Sequence, residues 1–170
     1  MWQKIETWIN RIGKSAAWLL LVMVLLTVVI TILRYFFSLG WIWLQELVVW
    51  MHGVVIMLTI AYALVSDAHV RVDVFYRQHS DRYRAIIDAL GTVFFLIPVC
   101  LLIAWMSTGY VFNTWQRLES SVEAGGLPFP FVPLLKTTLL IMPVLLLLAG
   151  VARLSRDLKM LRSSTNERTG

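Results

Sequence analysis

Arg34 and Glu46 are opposite charges set symmetrically about a turn signal, each six residues from Gly40 of "SLG" (residues 38–40), with apolar runs beyond both. If both arms are helical, six residues correspond to about 9 Å, so the two side chains reach one depth on adjacent helices. A lone charge in a membrane span is costly, and pairing across the hairpin relieves that cost. Snorkelling to the nearby interface and pairing with a partner subunit are the other solutions open to these residues. Gln45, beside Glu46, can add a hydrogen bond between helices. Lys136 lies about one turn into the last apolar run. Its long stem can carry the ammonium to the surface, or the ammonium can dock on an acidic partner.

Catalytic chemistry finds little to work with. His52 is the single histidine inside an apolar run, and a lone histidine reads as a packing residue, whereas axial haem ligation calls for a second ligand. The chain contains no HExxH, no GxSxG and no P-loop. No acid occupies the middle of an apolar run, so the proton or sodium relay of a self-sufficient transporter is missing. Cys100, the only cysteine, lies within an apolar run and reads as an inert core or lipid-facing side chain. No enzyme activity and no cofactor are expected.

The elements that position these residues follow from hydropathy. Of 170 residues, 59% are hydrophobic and 15% charged, against about 25% charged in soluble domains. Four apolar runs, at about 16–33, 43–65, 85–106 and 131–152, are near the roughly 20 residues that cross a bilayer core. The expected fold is an all-α integral membrane protein, one domain over 1–170, with four transmembrane helices and no room for a soluble catalytic domain. The first run is too long for a signal-peptide core, lacks a small-x-small cleavage site, and is expected to be retained. Before it, Ile5, Trp8, Ile9 and Ile12 form an amphipathic segment expected to lie flat on the cytoplasmic leaflet. Pro98 and Pro143 interrupt the third and fourth runs, where kinks are expected. "EAGGLPFPFVP" (123–133) cannot be regular helix.

Orientation comes from the basic residues. Lys4, Arg11 and Lys14 precede the first run. Arg71, Arg77, Arg82 and Arg84 lie between the second and third, and Arg153, Arg156, Lys159, Arg162 and Arg168 follow the fourth. The opposite side holds only Arg34, Arg117 and Lys136. The positive-inside rule then puts both termini and the loop between helices two and three in the cytoplasm. Charge of this kind, set beside apolar spans, reads as an orientation signal and not as a nucleic-acid surface. That loop contains "HVRVDV" (69–74), in which His69, Arg71 and Asp73 alternate with valines. The pattern describes an extended strip with one wet and one apolar face. It either rests on anionic lipid headgroups or docks against a partner subunit or the chain's own helices.

In order along the chain, "RYFF" (34–37), "WLQEL" (43–47), "DAHVRVDVFY" (67–76) and "GGLP" (125–128) resemble the small, DctQ-like membrane subunit of TRAP (tripartite ATP-independent periplasmic) transporters. The resemblance covers essentially the whole chain. It implies a bacterial inner-membrane subunit that packs against the static scaffold of a large, elevator-type membrane subunit, expected here as a separate chain. That partner imports an organic anion, a carboxylate or sulfonate, delivered by a periplasmic binding protein and driven by sodium. Substrate and sodium sites are implied for the large subunit and not for this chain. The matching positions Arg34, Glu46, His69, Arg71 and Asp73 are read as structural or interface residues. Two other classes stay open: the membrane anchor of a redox enzyme, and a small self-assembling exporter.

Overall fold

A computed structural model describes residues 2–66, 68 and 81–169. Four helices in it are long and apolar enough to span a membrane: Ile5–Phe37, Ile42–Val65, Arg82–Gln116 and Phe131–Leu158. The four expected spans are all present, and no strand occurs among the described residues. The helices are α1 (Trp2–Phe37), α2 (Ile42–Val65), α3 (Asp81–Gly91), α4 (Ile97–Gln116) and α5 (Phe131–Thr169). A π-helical turn, Thr92–Leu96, joins α3 to α4 into the third span.

Several helices run past the hydropathy limits, because a helix satisfies its own backbone whether or not its side chains suit lipid. α1 has 36 residues and α5 has 39, so both far exceed the roughly 20 needed to cross a bilayer core. Their overhangs lie together at the end of the bundle that carries both termini. There the Arg156 guanidinium stands 3.3 Å from the Glu6 carboxylate.

The N-terminal segment departs from expectation. It does not form a separate helix; it continues α1, and Ile5 and Ile9 of its apolar stripe pack on the chain's own helices, while Trp8 of the same stripe is 66% exposed. Ile9 is 3% exposed in a cluster with Ala61 of α2 and Ala149 of α5, flanked by Ile5, Tyr62 and Leu145. Gly13 permits this approach, since a Cβ there would lie 2.6 Å from the Cβ of Tyr62 and collide with its ring.

Small residues lie at several of the places where helices meet. Ala61, Ala149 and Ala152 are essentially inaccessible, and a Cβ at Gly150 would come within 2.8 Å of Leu96. Between lipid-embedded helices there is no hydrophobic drive, so association depends on close van der Waals contact and on polar links. α5 contacts every other helix and serves as the common strut. At the terminal end it also binds α3, through Arg153 and Asp88 at 2.8 Å.

The two prolines act differently. Pro98 lies two residues past the end of the π turn, and the N–H of Ile97 between them reaches back five residues to the Thr92 carbonyl. Proline lacks an N–H and its ring crowds the carbonyl four residues back; the widened turn accommodates both defects. Pro143 lies within α5, fully buried among neighbouring helices.

Gly13→Leu is expected to push α1 from Tyr62 and destabilise the bundle by about 1–3 kcal/mol, the range for overpacking. Gly40→Ala, where an added Cβ meets nothing within 4 Å, is expected to be neutral. Thermal midpoints in detergent compare the two.

Candidate functional site

At the end of the bundle opposite the termini, residues 117–130 connect α4 to α5. α4 closes with Leu118 in the left-handed region (φ 49°), and the chain then folds back over the start of α2. Two elements of this connector are held by one side chain. Glu46 Oε1 accepts a 2.5 Å hydrogen bond from the Ser121 hydroxyl, and Oε2 accepts a 2.7 Å bond from the Leu127 N–H. Gly126 lies against the same carboxylate, and a Cβ there would sit 2.7 Å from Oε2. Gly125 adopts φ +79°, which glycine reaches without strain, and its carbonyl accepts the Trp43 N–H at 3.0 Å. That bond satisfies one of the donors that every helix start leaves open.

A second polar knot lies alongside. The Lys136 ammonium, on the second turn of α5, makes a 2.7 Å ion pair with Glu119 of the connector. It also donates to Thr114 Oγ1 at 3.2 Å and lies 4.2 Å from the centroid of the Tyr110 ring. Its side chain is 16% exposed. Hydrogen bonding from Lys136 and then from Thr114 holds the Glu119 carboxyl below its ordinary range. Indole groups complete the framework: Trp50 Nε1 donates to the Phe131 carbonyl at 2.6 Å, and Trp115 Nε1 to Thr137 Oγ1 at 2.9 Å. Both rings stack edge-on, Trp50 against Phe131 and Trp115 against Phe129.

Between α2, the connector and α5 lies an open cleft of about 780 Å³, bordered by Gln45, Glu46, Val49, Glu119, Val122 and Lys136. The structure therefore brings three of the sequence candidates, Gln45, Glu46 and Lys136, to one place. Arg34 does not join them. The expected ion pair within the hairpin is not formed: the Glu46 oxygens are bonded to the connector, while Arg34 is exposed near the end of α1. Lys136 finds its acid inside the chain, in Glu119. His52 is exposed on α2. His69, Arg71 and Asp73 lie outside the described residues.

Sequence reasoning missed Ser121, Glu119, Gly126 and the Leu127 N–H. The irregularity of "EAGGLP" marks where a fold-back occurs, but no spacing rule links it to Glu46, some 80 residues earlier. Among the described residues, no group of three or more His, Cys, Asp or Glu side chains could hold a metal ion. What this arrangement does chemically is fasten a non-helical segment to three helices.

Glu46→Ala is expected to lower the thermal midpoint, because it leaves a hydroxyl and a backbone N–H without their acceptor. Arg34→Ala is expected to leave the isolated chain's midpoint unchanged, and the double substitution to be additive; a double-mutant cycle in detergent measures this. A second expectation concerns acid. Because the folded-state pKa of Glu119 is depressed, its contribution is complete above the ordinary carboxylate range and is lost as pH falls through the folded value. Midpoints measured from neutrality into acid should fall for the wild type, and fall less for Glu119→Gln, which begins lower.

Residues 23–160 match the family model described as "Tripartite ATP-independent periplasmic transporters, DctQ component". No curated protein matches the chain, and no solved structure does. The matched stretch contains α1 from Met23 onward, all of α2, α3 and α4, the whole connector and the membrane-spanning part of α5. It therefore takes in the Glu46 and Lys136 contacts entirely. The chain belongs to the DctQ component family of the tripartite ATP-independent periplasmic transporters.

Proposed function

We propose that this chain is the small membrane subunit of a sodium-driven TRAP transporter, packing against the static scaffold of the large elevator-type subunit and anchoring it. In this reading the transporter imports an organic anion, a carboxylate or sulfonate, handed over by a periplasmic binding protein. The membrane is the bacterial inner membrane, with both termini and the loop after α2 in the cytoplasm. The observation that carries the reading is the family match over residues 23–160, and the distribution of Lys and Arg supports the orientation.

The bundle's construction supports the same role. An elevator needs something fixed to slide past, and a fixed body must not deform with the moving one. Here the helices are tied at both ends. Glu46 and Lys136 bind the connector to α2, α4 and α5. Arg153 and Arg156 bind α5 to α3 and α1. Around this frame the surface is apolar, including Trp18, Leu25 and Val28 on α1 and Phe94, Leu101 and Trp105 in the third span. Such a surface suits lipid and a second membrane protein alike. The acids within the described spans, Glu6, Glu46, Asp88 and Asp157, sit near the ends of the bundle; Glu6 faces Arg156, Glu46 binds the connector and Asp88 binds Arg153. That arrangement favours a supporting role over an autonomous exporter, which needs an acid at mid-membrane.

Co-expression with the large subunit tests the proposal. In mild detergent the two chains are expected to purify together. In proteoliposomes, organic-anion uptake is expected to require both of them, the binding protein and an inward sodium gradient. Transport by this chain alone, or failure to recover a larger multispan partner, would overturn it.

A further inference from the structure

The cleft beside the connector presents polar groups that the bundle does not use. Glu46 is oriented by two donors, and both are neutral. A carboxylate has about four lone-pair directions, so acceptor capacity remains, and no ion pair among the described residues supplies Glu46 with a counter-charge. Gln45 is exposed on the same cleft, and its amide makes no hydrogen bond among the described residues. Both belong to a helix apolar enough to span a membrane, where uncommitted polar side chains bind neighbouring helices. Glu123 also borders the cleft. The cleft's one cation, Lys136, is committed to Glu119. The remaining chemistry is that of a receptor for a positive charge with an apolar surround, supplied by Val49 and Val122, which are 69% and 95% exposed.

We infer that the large membrane subunit docks in this cleft, placing a Lys or Arg side chain from an apolar segment on Glu46, with Gln45 hydrogen-bonding alongside. The inference rests on the proposed function and names the surface through which it operates. A phospholipid ammonium fits less well, because its phosphate would arrive where no uncommitted cation remains to receive it. Arg34 of a second copy is the competing cation, and the experiment separates it.

A photo-cross-linking amino acid replaces Val49 or Val122, one at a time, in the full chain co-expressed with the large subunit. Both side chains are exposed, so the replacements leave the packing intact. The expected result is an adduct with a membrane-spanning peptide of the large subunit that carries Lys or Arg within about one helical turn of the attachment point. Changing that basic residue to Glu in the partner, which leaves this chain untouched, should reduce adduct yield about tenfold or more. Gln45→Ala should reduce it several-fold without altering the thermal midpoint. If the two subunits co-purify yet the adduct forms with lipid, with a second copy of this chain, with a segment lacking a basic residue, or not at all, the inference is overturned and the proposed function stands. If the unsubstituted chains do not co-purify, the proposed function falls and the inference falls with it.

Discussion

The last six residues of the connector between α4 and α5 include two glycines and two prolines, so this stretch cannot order itself by forming helix. Its order comes from Glu46. One carboxylate accepts a side-chain hydroxyl and a backbone N–H, and the connector in turn supplies an acceptor to the start of α2 through Gly125. The dependence runs both ways. A non-helical segment at the edge of a membrane is tolerated where protein satisfies its backbone, and a carboxylate there is tolerated where donors surround it. Each solves the other's problem, which is why Gly126 has no room for a side chain.

From that contact the arrangement of the helices follows. The fold-back fixes where α4 ends and where α5 begins, and Lys136 then closes the gap by reaching Glu119 and Thr114. With α5 so placed, its small residues meet α1, α2 and the π turn closely enough for dispersion to hold them. Its far end then carries Arg153 and Arg156 to Asp88 and Glu6. Polar links at the two ends and close small-residue contacts between them divide the work. Neither alone suffices in lipid, where apolar surface gains nothing by leaving one hydrocarbon environment for another.

Much of this was legible in the residues and some was not. Four spans and their approximate limits follow from hydropathy, because the need for about 20 apolar residues is set by the bilayer and not by tertiary structure. The irregular connector was visible in its glycines and prolines for the same local reason. The importance of Glu46 was also legible, since a charge in a span needs a partner. Its partner was not. Arg34 is the nearest opposite charge in sequence, but the donors that reach Glu46 belong to Ser121 and Leu127, brought there by a fold-back that no periodicity encodes. The N-terminal segment failed for a related reason. An amphipathic stripe that includes Ile5 and Ile9 reports that one face is buried without reporting against what, and Ile9 is buried against Ala61 and Ala149. The strip at 69–74, the best recognition signal in the chain, lies outside the described residues.

On the proposed reading, the subunit contributes geometry to transport and no chemistry of its own. A scaffold resists the tilt of a moving neighbour only if its helices act as one body. The contacts that make this so are distributed for that purpose, with a polar tie at each end of the longest lever, α5. Most charges that a membrane protein must neutralise are consumed internally in making this frame. Among the polar groups left uncommitted on its spans, Gln45 stands beside a half-satisfied Glu46 in one cleft, and in hydrocarbon a further contact relieves the cost of such groups. Rigidity and docking thus draw on the same residue: the carboxylate that orders the connector is held in one orientation by it, and a fixed acceptor binds a partner's donor with less loss of side-chain freedom than a mobile one.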